Sequence, residues 1–192
     1  MMVLGITGGI GSGKTTVSRI FQSLNCPVFN SDLEARAMLE SEALRPYLED
    51  IFGDEIFTGG VVDRKKIAEL VFSDKSNLES LNALIHPLVA EAFKNFEQKH
   101  HSGLIIKEAA ILFETGSYHD NDVNLLVIAP ENERVRRVMK RDDSKEDEVR
   151  SRIQNQWPDE KKIPLADFVI DNSGEEFLIP QILSVFQELK KR

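Results

Sequence analysis

One cysteine, Cys26, stands in a chain of 192 residues, so no intrachain disulfide can form. A bridged framework is thereby excluded, and a reducing, cytoplasmic setting is the default. Cys26 lies between Asn25 and Pro27 and reads as a small buried residue. Positive charge is also scarce: 24 Lys and Arg face 32 Asp and Glu, a formal net charge of -8. That balance argues against a nucleic-acid-binding surface. It leaves room for a local basic site that takes a polyphosphate. No apolar run approaches the roughly 20 residues of a membrane span, and no signal peptide precedes the first apolar segment. Internal repeats and low-complexity tracts are missing too. What remains, 41% hydrophobic and 29% charged, is an ordinary soluble globular composition, long enough for one α/β domain with small excursions.

Glycine, by contrast, is concentrated in one place. Gly8-Gly9-Ile10-Gly11-Ser12-Gly13-Lys14-Thr15 matches G-x-x-x-x-G-K-[ST], the phosphate-binding P-loop. An apolar run, 2–6, precedes it as a buried strand would. After it, Val17, Ile20, Phe21 and Leu24 share one helical face. Strand, glycine loop and helix together turn the pattern into a site for a nucleoside triphosphate. The loop's consecutive N–H groups form an anion nest, and the helix adds its positive end. Lys14 is placed to reach the β- and γ-phosphates, and the Thr15 hydroxyl to ligate Mg²⁺.

Beyond the loop, strand and helix signals alternate. The expected strands are 3–7, 27–29, 104–106, 123–129 and 168–170. The expected helices are 12–24, 32 to about 52, 64–72 with Asp63 as N-cap, 76–99 kinked or divided at Pro87, 130–141, and 175–191. This order predicts an α/β fold with a doubly wound five-stranded parallel sheet, the P-loop NTPase fold. The region between the second and third strands is too long for one crossover. It reads as a small helical acceptor lobe at the sheet's C-terminal edge, where open α/β sheets bind ligands. The expected organisation is a single domain 1–192, with core segments 1–56, 101–132 and 163–192, a lobe 57–100 and a helical lid 133–162.

Subclasses of P-loop protein differ in what accompanies the loop. GTPases need an Asn-Lys-x-Asp guanine reader, and none occurs. Asp50-Ile51-Phe52-Gly53 fits a loose D-x-x-G pattern but follows helical sequence rather than an apolar strand. A small kinase of the nucleoside or nucleotide type fits better. Such an enzyme needs an acid near the end of strand two and a basic cover. Asp32 lies at that strand end, is ionised at neutral pH with an ordinary pKa of about 3.9, and can accept a proton from a hydroxyl. The same position equally suits a helix N-terminal acid. Arg134, Arg136, Arg137, Lys140, Arg141, Arg150 and Arg152 lie in 133–162, interleaved with acids that account for most of them as salt bridges. One or two arginines would still suffice to stabilise a transferring phosphoryl group. A kinase for some other small hydroxyl acceptor and a non-catalytic nucleotide module both remain open on the residues alone.

The ordered motifs resemble the dephospho-CoA kinase family over nearly the whole chain. They run from Ile6 to Thr16, through Asn30-Ser31-Asp32 with Ala35-Arg36, Ile85-His86-Pro87, Ile111-Leu112-Phe113-Glu114, Arg141-Asp142-Asp143 and Gln156 with Lys161, to 166–174. The resemblance implies a cytoplasmic transferase that moves the γ-phosphoryl group of ATP, with Mg²⁺, to the ribose 3′-hydroxyl of dephospho-CoA, the last step of coenzyme A biosynthesis. It implies that Asp32 is the base, with Lys14 and Arg141 beside it as catalytic residues. Gly8 to Thr16, Asn172 and Gly174 would contact the nucleotide, and Thr15 the metal. His86, Leu112 and Glu114 fall in or beside the acceptor region, where His86 could equally be a lobe-supporting corner and Glu114 a helix-start acid. No nucleic-acid or membrane partner is implied, and a monomer is assumed. Two positions depart from the family pattern: Asn30 stands where an acid is common, and Ala110 where proline is usual.

Overall fold

The structure, a computed structural model, describes residues 1–101 and 103–192, and of Phe72 only the backbone. Ser102, inside the expected core segment 101–132, lies outside the described residues. Along the chain run β1 (Met2–Gly8), α1 (Lys14–Ser23), β2 (Val28–Asn30), α2 (Ser31–Leu39), α3 (Arg45–Phe52), β3 (Phe57–Thr58), β4 (Val61–Val62), α4 (Arg64–Ser73) and α5 (Lys75–Lys99). There follow β5 (Leu104–Glu108), β6 (Val123–Ile128), α6 (Glu131–Asp142), α7 (Glu146–Gln154), α8 (Asp159–Lys162), β7 (Phe168–Asp171) and α9 (Leu178–Leu189). They divide into two compact units, Met1–Asn30 with His100–Arg192, and Ser31–Lys99. No helix among the described residues is long and apolar enough to cross a membrane.

In the first unit five parallel strands pair in the order β2-β5-β1-β6-β7. Strands covered on both faces read as near-continuous apolar runs, and β6 has five buried residues of six. One face carries Leu4, Ile6, Ile106, Leu125, Val127 and Ile170, packed against Val17 and Phe21 of α1 and Ile182, Val185 and Leu189 of α9. A smaller cluster of Val135, Val138 and Val149 joins α6 to α7, and Ile10 of the glycine loop packs against it. The closing helix begins at Leu178, later than residue 175; ahead of it Asp171 accepts the Ser173 amide at 2.8 Å and the Ser173 hydroxyl accepts the Glu175 amide at 3.4 Å.

The second unit has its own core of Leu44, Leu48, Phe52, Ile56, Ile67 and Ile85, and spans residues 57–99 of the expected lobe 57–100 together with residues 31–56, which were expected in the core. Gly59 and Gly60 turn the hairpin between β3 and β4. Asp63 caps α4 by accepting the Lys65 amide at 3.0 Å, as its residue type predicts. The helix expected over 32–52 is broken: Ser41 is extended at φ -80° and ψ 139°, and Pro46 sits in the first turn of α3. Proline's missing N–H costs nothing there, so it starts a helix rather than continuing one. Conversely, α5 runs undivided through Pro87. The buried side chains of Ile85 and Phe93 on either side of Pro87 anchor it, and tertiary burial of this kind overrides a local breaker.

Candidate nucleotide and phosphoryl-transfer site

The P-loop joins the centre of the sheet to α1. Gly13 holds φ 105°, a left-handed conformation that costs other residues 1–2 kcal/mol in order of magnitude, and this turns the chain into the helix. A side chain at Gly9 would collide with the Arg134 guanidinium. The Ser12 amide closes the loop on Gly9 O at 3.0 Å, and the Thr16 and Val17 amides take Gly13 O at 2.9 and 3.1 Å. A helix start of this kind turns backbone N–H groups and the positive end of the helix dipole toward an anion.

Lys14 Nζ donates to Gly8 O at 2.9 Å and to Gly9 O at 3.3 Å. The ammonium is thus folded over the loop that it would share with the phosphates. Thr15 Oγ1 donates to Glu108 Oε1 at 2.8 Å. Glu108 is buried and ends β5, directly beside the P-loop strand, with Ile6 as its partner in β1 and Asn30 as its partner in β2. It was not among the residues anticipated above. The expected strand stopped at Ile106, but an acid closing an apolar strand was a usable signal once β5 is known to neighbour β1. Glu108 also stands opposite Asn30 in register, the position where the family pattern commonly has an acid.

No cluster of three or more His, Cys, Asp or Glu suited to a metal exists among the described residues. The Thr15 hydroxyl and Glu108 carboxylate are nevertheless the kind of pair that Mg²⁺ uses. It takes one or two protein oxygens and completes its shell with phosphates and water. The residues present therefore fit this ion.

The loop after β7 reaches the same place. Asn172 Nδ2 donates to Ser12 O at 2.7 Å, and its own carbonyl accepts Arg137 at 2.8 Å. Gly174 occupies an exposed turn at φ 99°. Arg141 is exposed on α6 and engaged with its neighbour, Nε and Nη2 donating to Asp142 at 2.6 and 2.9 Å. Those bonds raise the arginine's pKa and hold the Asp142 carboxyl below its usual value, with Arg152 assisting at 3.3 Å.

Two of the residues expected in or beside the acceptor region lie in the first unit. Leu112 is fully buried, so its side chain packs inside the protein. Glu114 accepts the Trp157 amide at 3.2 Å and pairs with the fully buried Lys162 at 3.0 Å. Asp32 and His86 belong to the second unit, Asp32 exposed as the second residue of α2 and His86 exposed on α5. The structure thus gathers Lys14, Thr15, Thr16 and Asn172 with Glu108 in the first unit.

A protein-family model described as dephospho-CoA kinase matches residues 2–177. The dephospho-CoA kinase of Bacteroides fragilis is 37% identical over 191 residues, covering 98% of this chain and 93% of the relative. That of Chlorobaculum tepidum is 38% identical over 198 residues, covering 98% and 95%. Among solved structures, the protein TT1252 from Thermus thermophilus superposes with a TM-score of 0.90 at 36% identity, covering 97% of this chain and 96% of that one. A shikimate kinase from Bacteroides thetaiotaomicron, at 17% identity and a TM-score of 0.54, covers 100% and 99% and shares the fold.

Proposed function

Since the chain belongs to the dephospho-CoA kinase family, we propose that it transfers the γ-phosphoryl group of ATP to the ribose 3′-hydroxyl of dephospho-CoA, releasing coenzyme A and ADP. The observation that carries the reading is the pairing of an ordered P-loop with a buried acid: Thr15 Oγ1 lies 2.8 Å from Glu108 beneath a loop rich in amide donors. Phosphoryl transfer asks little covalent chemistry of a protein and much positioning and charge stabilisation.

Each residue then has one task. The amides of the loop and the start of α1 take the β- and γ-phosphate oxygens. Lys14 leaves the Gly8 and Gly9 carbonyls for the same oxygens, exchanging two neutral acceptors for a charged one, which makes the stronger bond. Thr15 and Glu108 would hold Mg²⁺, which when bound offsets charge on the β- and γ-phosphates. Asp32 takes the proton of the attacking 3′-hydroxyl as that oxygen bonds to the γ-phosphorus and the bond to the ADP oxygen breaks. Arg141 moves from Asp142 to the transferring group, and Asn172 with Gly174 borders the adenine. His86 is assigned to the acceptor side, as the family motif suggests, and Glu114 to holding the segment that contains Trp157. The one thiol, Cys26, is buried and free, in keeping with a cytoplasmic setting.

The test is an ADP-release assay with ATP and Mg²⁺, comparing dephospho-CoA with a panel of nucleosides and nucleotides. Stimulation by dephospho-CoA alone is the expected outcome. Stimulation by another acceptor and not by dephospho-CoA would overturn the proposal.

A further inference from the structure

Ile10 of the P-loop is gripped from outside the loop at both of its backbone polar groups. Its N–H donates to Gln156 Oε1 at 2.7 Å, and its carbonyl accepts Arg134 Nε at 3.0 Å. Its side chain packs on the Val135, Val138 and Val149 cluster. We propose that Gln156 and Arg134 are positioning residues of the phosphate site, acting through Ile10 to set the direction of the loop's amides. The inference rests on reading Gly8–Thr15 as the ATP site.

The argument follows from peptide planarity. In a trans peptide the C=O and N–H point in opposite directions and turn together. Holding the Ile10 carbonyl on Arg134 therefore fixes the Gly11 N–H to point away from Arg134. Holding the Ile10 N–H on Gln156 likewise fixes the Gly9 carbonyl on the other side, where it accepts the Ser12 amide at 3.0 Å and Lys14 Nζ at 3.3 Å. Neither peptide can rotate without breaking a bond at 3.0 Å or less. A nest of amides binds anions well only when its donors already converge, because reorienting them on binding costs free energy.

The two grips are themselves anchored. Gln156 Nε2 donates to Ala110 O at 3.4 Å. The Arg134 side chain is 8% exposed and faces Asp159 at 3.5 Å, and a Cβ at Gly9 would occupy its place. Burial pushes the Asp159 carboxyl above its ordinary pKa, with Arg134 opposing. The segment carrying Gln156 and Asp159 is fastened at Trp157 and Lys162 through Glu114. These contacts put residues far along the chain in control of a loop at its start.

Gln156→Met keeps the length of the side chain and removes its hydrogen bonds, and Gln154→Met on the exposed end of α7 is the control. Binding of ADP and of inorganic tripolyphosphate is measured by calorimetry beside steady-state kinetics. The expected result is about five- to tenfold weaker binding of both ligands, the worth of one hydrogen bond. KM for ATP rises by the same factor, while KM for dephospho-CoA and the behaviour of Gln154→Met stay at wild-type values. Unchanged ADP and tripolyphosphate binding in Gln156→Met overturns the inference alone, as does an equal loss in both KM values, which marks a merely structural role. A wild-type chain that binds neither ADP nor tripolyphosphate removes the nucleotide reading and the inference with it. Amide exchange of Ile10 in the nucleotide-free wild type needs no variant: protection supports the grip by Gln156, and exchange at the rate of an open loop refutes it.

Discussion

Removing Lys162 is the sharpest probe of what holds the 156–162 segment in place. Its side chain is fully buried, and its ammonium lies 3.0 Å from Glu114 Oε1, the side chain of Glu114 being 13% exposed. Truncating one member of such a pair leaves the other charge buried, at a cost of about 3–5 kcal/mol. Glu114 retains the Trp157 amide and some solvent, so the lower end, about 3 kcal/mol, applies to Lys162→Met. For a chain of this size each kcal/mol lowers Tm by roughly 2–4 °C, giving a fall of about 6–12 °C. The double variant Lys162→Met, Glu114→Leu behaves differently. Desolvating two charges offsets much of the attraction between them, and replacing a buried pair by apolar side chains of similar volume is often neutral or stabilising by about 1–4 kcal/mol. The double variant should therefore recover most of the lost stability. The assay is urea unfolding followed by tryptophan fluorescence, since Trp157 is the one tryptophan and lies within the segment. A single variant as stable as wild type, or a double variant no better than the single, would refute the account of this pair.

Asp32→Asn should keep ADP binding near wild type and lower kcat by about 10²–10⁴, the usual worth of general-base help; near-full turnover removes Asp32 from the chemistry. Glu108→Gln retains an acceptor for the Thr15 hydroxyl but loses the charge, so the Mg²⁺ concentration for half-maximal rate should rise while Tm holds, and an unchanged Mg²⁺ dependence would count against the Thr15–Glu108 pair as the metal's protein ligands. For Asp159 the sign runs against the common carboxylate pattern. Its folded pKa is raised above 3.8 by burial, so the folded chain binds that proton more tightly than the unfolded one, and stability declines as pH climbs from 3.8 through the raised value. Asp159→Asn lacks this limb. Denaturation on both sides of pH 3.8 should show the variant gaining on wild type with rising pH, and a constant difference would contradict the burial argument.

The glycine loop between its strand and helix was legible because its signals are local. Glycines, Lys14 and Thr15 lie within one short run, and the flanking strand and helix declare themselves by apolar spacing. Strand positions were legible for a related reason: β1, β5 and β6 are buried on both faces and so read as apolar runs. Glu108 escaped because its role depends on strand order, and nothing local places β5 next to β1. Arg134 and Gln156 were named, as a lid arginine and as part of a family motif, but their contacts with the glycine loop were not readable for the same reason. Arg134 sits in a run of charges that looks solvated, yet it is buried against a loop more than a hundred residues away in the chain. Within the second unit the departures were a break where one helix was expected and an undivided helix at Pro87, where a kink or a division was expected. The break at Ser41 and Pro46 was written in residue types, whereas the continuity of α5 through Pro87 depends on packing that sequence periodicity underweights.

The order of the strands also has a consequence for how the chain is made. Strand β1 is synthesised first, but both of its neighbours, β5 and β6, come on the order of a hundred residues later. At about 5–20 residues per second, the opening strand waits roughly 5–20 s for its first pairing partner to leave the ribosome. The contiguous unit Ser31–Lys99 emerges whole in that interval, with its own core complete in sequence. The glycine loop at the start of the chain is therefore among the last parts to acquire its shape, since β5, β6, Arg134 and Gln156 must all be present before its backbone is fully bonded.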